Sequence, residues 1–203
     1  MKLNRVEKWL MNSRLRATAQ RRYEAPLLER LGGRLEGGRV LEVGCGRGVG
    51  TEIIFERFGA LKVCALDLDP EMVKKAKRRL RIYPADRLEL NVGDATAIRA
   101  EDETFDAVFD FMIIHHVPDW QRAVAEIARV LRPGGRFFFA EVTRQALERW
   151  SYRTFLDHPP DNRFGREEFV AELGRRGIAM KGQVEERFFG DFIYGVGLCL
   201  KAG

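Results

Sequence analysis

Residues 41–51, LEVGCGRGVGT, constrain this chain more than any other stretch. A short apolar run, 39–43, leads directly into glycines at 44, 46 and 48, and a segment with helical character, 51–58, follows. Glycines at such a point let the backbone turn tightly and come close to a ligand where a Cβ would clash. The start of the next helix adds unpaired N–H groups and the positive end of a dipole. Spacing excludes two common phosphate-binding loops. In GxGxxG the third glycine would fall on Val49, Thr51 or Ile53, depending on register, and a P-loop needs a Gly-Lys-Ser/Thr triplet that the chain lacks. The remaining pattern is acidic-x-Gly-x-Gly-x-Gly, beginning at Glu42.

Around this loop the pattern alternates. Residues 61–66, 88–92, 105–114 and 136–141 read as strands. Residues 69–81 and 120–130 read as helices, the first opened by Asp69-Pro70-Glu71, which places an N-cap before Pro. Strands alternating with helices predict a doubly wound, mainly parallel seven-stranded sheet with helices on both faces. The last two strands, 179–186 and 192–201, are joined too tightly for a crossover and predict a C-terminal antiparallel hairpin. The ligand then belongs at the carboxyl ends of the strands, beside the first strand, where strand order switches. The expected organisation is one compact domain: a helical lid segment over 1–38 and a ligand-binding body over 39–203.

Composition narrows the classes. Net charge is +5, yet residues 1–39 hold ten Lys/Arg against four Glu, while the remaining 164 residues are close to neutral. Basicity therefore belongs to one segment, which suits an anionic substrate, a peripheral membrane contact or nucleic acid. No apolar stretch reaches the roughly 20 residues of a spanning helix. Cys45, Cys64 and Cys199 are odd in number and lack metal-ligand spacing, which points to a reducing cytoplasm and no metal.

Five segments together resemble the class I S-adenosylmethionine-dependent methyltransferases, of the small-molecule, methyltransferase type 11-like kind. They are Glu42-x-Gly44-x-Gly46-x-Gly48, ALDLDPEM, NVGDA, FDAVFDFMIIHHVPD and VLRPGGRFFFAE, each at the end of an expected strand. The resemblance runs from about residue 39 onward and implies a Rossmann-like fold that binds S-adenosylmethionine and releases S-adenosylhomocysteine. It assigns cofactor contacts to Glu42, Gly44, Cys45, Gly46, Gly48, Asp67, Leu68, Asp94, Ala95, Asp110 and Phe111. Asp67 matches the ribose-binding carboxylate and Asp94 the acid facing the adenine amino group. Either could instead cap a local turn, although Asp69 is the better helix cap and would leave Asp67 free for the ligand.

Methyl transfer to a small-molecule acceptor is an in-line displacement, and an oxygen or amine acceptor also has a proton to lose. His115 and His116 are the candidates to take it. Strand alternation places them on opposite sides, so one at most should face the acceptor. Arg21 and Tyr23, with Arg14, Arg16 and Arg22, could reach the substrate or the cofactor carboxylate from the lid, and Trp150 and Tyr152 could shape the acceptor site. A phospholipid head-group amine is the alternative acceptor, suggested by the basic N-terminus, and a cofactor-binding protein without turnover is the non-enzyme alternative. Nucleic-acid methylation is disfavoured, because the chain has no Asn/Asp-Pro-Pro-Tyr/Phe motif.

Overall fold

In the computed structural model, described here for residues 13–148 and 161–200, the chain alternates helix and strand around one sheet. Helix α1 (Arg14–Ala19) continues through a π-turn (Gln20–Glu24) into α2 (Ala25–Gly32). Then come β1 (Arg39–Val43), α3 (Val49–Glu56), β2 (Lys62–Asp67), α4 (Pro70–Arg79), β3 (Leu88–Val92) and β4 (Phe105–Phe111). They are followed by a 3₁₀ turn (Ile114–His116), α5 (Trp120–Val130), β5 (Leu131–Val142), α6 (Arg144–Leu147), α7 (Arg166–Arg175), β6 (Ile178–Met180), β7 (Glu185–Arg187) and β8 (Phe192–Cys199).

The strand order is β3-β2-β1-β4-β5-β8-β6, with β7 also on β8. Strands β1 to β5 are parallel and β8 is antiparallel to β5. The chain leaves β1 toward β2 and β3, then returns to β4 on the other side, so the switch in order lies between β1 and β4. The sheet is Rossmann-like and doubly wound. It has eight strands in seven positions, because β6 and β7 share one edge of β8.

The middle strands are buried on both faces, as parallel sheets require. Period-two alternation sorts their side chains into two cores. Phe109 and Phe138 stack in parallel at 4.4 Å and meet Phe58 and the α2–α3 layer. Phe105, Phe137 and Phe139 face the opposite layer with Trp120, Ile127, Phe164 and Phe169. Helix α5 presents Trp120, Ala123, Val124, Ile127 and Ala128 to this second core, and its other side carries Gln121, Arg122 and Arg129.

Four expectations change. Strand β4 stops at Phe111, and residues 113–116 leave the sheet, because a buried carboxylate on β5 takes the amides of residues 113–115. The expected strand 179–186 is split into β6 and β7, and Gly182, at φ +83°, lies between them. The Pro133-Gly134-Gly135 stretch enters β5 as an irregularity in its pairing with β4 rather than ending before it. The N-terminal helix is not regular: Pro26 has no N–H for the carbonyl four residues back, and the preceding turn widens so that the Ala25 amide reaches the Gln20 carbonyl. Residues 1–12, 149–160 and 201–203 lie outside the described region, and with them Trp150 and Tyr152.

Helix α4 begins as its sequence requires. Asp69 Oδ1 accepts the Glu71 amide at 3.0 Å, Pro70 occupies the first turn, and Lys77, Arg78 and Arg79 complement the dipole at the far end. Asp69→Ala is expected to lower unfolding stability by about 1 kcal/mol in denaturant titration, with an unchanged slope.

Candidate functional site

A cavity of about 360 Å³ opens at the carboxyl ends of β1, β2 and β4, at the switch in strand order. This is within the size range of pockets that enclose small ligands. Its floor is the glycine loop. At Gly44, φ is +68° and a Cβ would collide with the Ile113 side chain, so only glycine fits. Gly48, at φ +88°, caps α3 in the left-handed conformation. The Cys45 amide donates to the Leu66 carbonyl at 2.9 Å, which fastens the loop to β2.

Asp67 stands at the tip of β2. One carboxylate oxygen accepts the Gly46 amide and the other the Asp69 amide, each at 2.8 Å. The expectation of an unengaged Asp67 is therefore corrected: it lines the cavity and also ties the loop to the start of α4. Asp94 Oδ1 accepts the Thr96 amide and hydroxyl at 2.9 and 2.8 Å, so it closes its own turn while facing the cavity. Leu68, Ala95 and Phe111 also line the wall.

Glu42 is buried beneath the loop, where its Oε2 accepts the Thr51 hydroxyl at 2.5 Å. Burial pushes its carboxyl up to about 8, with nearby Asp67 adding to the rise and the Thr51 hydroxyl opposing it. Burial likewise raises the Cys45 thiol, which leaves it a protonated, unreactive wall group.

The histidines lie on the 3₁₀ turn, not on a strand, so the alternation argument does not apply. Their rings stand 4.1 Å apart, tilted by 39°. His116 lines the cavity. His115 is turned away from it, with Nδ1 2.5 Å from Glu141 Oε2. Glu141 is fully buried, and it also accepts the amides of Ile113 and Ile114 at 2.9 and 2.6 Å. Asp110 is the second correction: it is buried behind the cavity, hydrogen-bonded to Glu141, and accepts the Ile113 amide at 2.9 Å. Burial and the neighbouring Glu141 charge push Asp110 well up. Burial would raise Glu141 too, but the His115 ring, the Asp110 proton and the turn's amides together hold it below the usual range. The two acids are thus pushed in opposite directions, Asp110 toward its neutral form and Glu141 toward its charged form.

Arg16, Ala17 and Gln20 close the cavity from above. Arg21 is directed away, paired with Glu52 and Glu56 of α3. The Tyr23 hydroxyl instead accepts from Arg187 Nε at 2.9 Å, outside the cavity. The sequence argument assigned no role to Gln20 or Glu141. A lone acid ending the apolar strand FFFAE was the available signal for Glu141.

Residues 41–139 match the family model described as "Methyltransferase domain". A fatty-acid O-methyltransferase of Mycolicibacterium smegmatis is 36 % identical over 126 residues, which is 62 % of this chain and 44 % of that protein. A probable phthiotriol/phenolphthiotriol dimycocerosates methyltransferase 2 of Mycobacterium ulcerans is 38 % identical over 108 residues, covering 53 % of this chain and 41 % of that one. The solved structure of a SAM-dependent methyltransferase from Aquifex aeolicus superposes with a TM-score of 0.75 at 20 % identity, across 98 % of this chain and 100 % of that one. The glycine cradle and the acid at the tip of β2 stand together on one cavity at the switch point of a doubly wound α/β sheet. Residues 41–139 thus carry a methyltransferase domain, on a fold shared with S-adenosylmethionine-dependent methyltransferases of known structure. The chain spans about half, or less, of the length of the curated relatives it matches.

Glu42 carries a pH signature. Between about pH 4.5 and 8 the unfolded chain has released this proton while the folded chain keeps it. The native state therefore loses stability as pH rises through that window, by an amount on the order of a few kcal/mol. Glu42→Gln removes this dependence. Urea titrations of the ligand-free protein are expected to show the variant gaining on the wild type from pH 5 to 8, with no further gain above.

Proposed function

We propose that this cavity binds S-adenosylmethionine and that the chain transfers its methyl group to an oxygen of a small apolar acceptor. The observation that carries the reading is the convergence, at the switch in strand order, of the glycine loop, Asp67, Asp94 and His116 on one cavity. The cofactor supplies a methyl group on a positively charged sulfur, which needs no phosphate cradle or P-loop lysine.

The lining suits such a ligand. Asp67, Asp69, Asp94 and Asp119 give the walls an excess of carboxylates, favourable to a cation. Asp67 is placed to accept both ribose hydroxyls, since a carboxylate retains acceptor capacity after two amide bonds. Asp94 and the backbone at Ala95 take the adenine edge. Arg16 Nη1 is paired with Glu24 at 2.9 Å, but its buried Nε has no hydrogen-bond partner among the described residues. An amino-acid carboxylate fits that donor.

His116 is the only described histidine on the cavity wall, and it serves to take a proton from an acceptor hydroxyl. His115, anchored by Glu141, positions it by ring packing. Ile113, Val117 and Pro118 make the neighbouring wall apolar. This agrees with relatives named for fatty-acid and phthiotriol substrates. The N-terminal segment over 1–38 acts as a lid through Arg16, Ala17 and Gln20, on a body over 39–203.

Incubation with S-adenosylmethionine and a panel of long-chain acids, long-chain alcohols, phenols and amines tests the reading. S-adenosylhomocysteine is expected with an oxygen acceptor, and cofactor binding with no turnover across the panel would contradict it. Asp67→Asn keeps an acceptor for one of the two amides, sets its NH2 against the other, and loses the charge. In titration calorimetry it is expected to weaken cofactor binding about 10- to 100-fold, as a charged hydrogen-bond partner is worth about 1.5–3 kcal/mol.

A further inference from the structure

The turn between β7 and β8 departs from what its sequence should favour. Phe188 and Phe189 both have left-handed backbone, at φ +54° and +60°, followed by Gly190 at +87°. Two successive bulky residues in this region are disfavoured by Cβ sterics. Burial does not account for them, because Phe188 is 65 % exposed and Phe189 91 % exposed. Phe188 meets the edge of the Phe192 ring. The turn is nevertheless held firmly. The Thr143 hydroxyl donates to the Gly190 carbonyl at 2.7 Å, the Thr143 amide to the Asp191 carbonyl at 2.9 Å, and the Asp191 amide to the Phe188 carbonyl at 3.3 Å. Strained backbone that is fixed in place and presents its side chains to solvent is a sign of function.

Its position gives the function a direction. Phe192 pairs with Val142, so the turn projects from the same end of the sheet as the cavity. Tyr23 joins it to the lid through the Arg187 Nε bond, three residues beyond Gln20 on the cavity wall. The acids beside the tip are neutralised: Glu185 pairs with Arg187 and Arg30, and Glu186 with Arg166. Arg14, Leu15 and Arg22 are exposed on the adjoining helical segment. Two exposed rings beside Arg14, Leu15 and Arg22, on a stretch whose described residues 13–39 carry seven Arg against three Glu, match an anionic lipid surface.

We propose that the Phe188–Phe189 turn docks the protein on anionic membranes. The two rings enter the interfacial layer, and the basic N-terminal helix lies against the head groups. The cavity mouth then faces the layer in which apolar acceptors dissolve. This last consequence rests on the proposed acceptor class, whereas docking itself needs neither cofactor nor turnover.

Sedimentation of the full chain with vesicles of phosphatidylcholine alone, or mixed equally with phosphatidylglycerol, tests docking separately from methyl transfer. The native protein is expected to sediment with the mixed vesicles. The double variant Phe188→Asn, Phe189→Asn is expected to lose about tenfold or more in partitioning, from the removed apolar surface. Asparagine tolerates left-handed backbone, so thermal melting should remain at or above the native value. Phe188→Trp, Phe189→Trp is expected to restore binding, with emission shifted to the blue. No sedimentation of the native chain would overturn the proposal, as would equal sedimentation of the asparagine variant. A dimer by light scattering that the asparagine variant dissolves, without vesicle binding, would assign the turn to self-association and also overturn it.

Discussion

The Asp67 carboxylate accepts the Gly46 amide on one side and the Asp69 amide on the other, and the ligand end of the sheet is organised around that bridge. It fixes the glycine loop after β1 relative to the first turn of α4 after β2, two segments joined otherwise by the Cys45–Leu66 bond at the loop's edge. A charged acceptor suits this position because three sets of donors meet there: the loop, the α4 entry and the ribose of the proposed ligand. Hydrogen bonds to a carboxylate are about twice as strong as neutral ones, so one group can hold the empty loop and still favour a ligand.

The other wall depends on a second carboxylate, used in the opposite way. Glu141 is sealed from solvent and spends its acceptors on the amides of residues 113–115 and on His115. Those bonds draw the chain out of the sheet after Met112, whose own amide makes a last bond to Ala140 at 2.7 Å. Without this departure β4 would continue and His116 would not reach the cavity. Burial and the Glu141 charge push Asp110 toward its neutral form, which limits the charge buried there. Burial of Glu141 is tolerable because both its oxygens accept from the turn's amides or the His115 ring, while Asp110 Oδ1 accepts the Ile113 amide.

The parts legible in the sequence were those whose cause is local. The glycine spacing, the Asp69-Pro70 cap and the alternation of β1 to β5 each depend on neighbouring residues, and the strand ends put Asp67 and Asp94 on the cavity wall. What escaped depends on distant partners. FMIIHH reads as strand, and only Glu141, on the next strand of the sheet, turns it into a 3₁₀ turn. Arg21 and Tyr23 were placed on the wrong face for a related reason. The π-turn at Gln20–Glu24 shifts helical phase, so Arg16, Ala17 and Gln20 face the cavity while Arg21 meets α3. No local pattern announces that shift beyond Pro26.

A crystal structure of the protein with S-adenosylhomocysteine tests the central claim most directly. The account expects the ribose hydroxyls within hydrogen-bonding distance of Asp67, the adenine against Asp94 to Thr96, and the amino-acid carboxylate near Arg16. A nucleoside bound elsewhere, or bound here with its ribose turned away from Asp67, would contradict it.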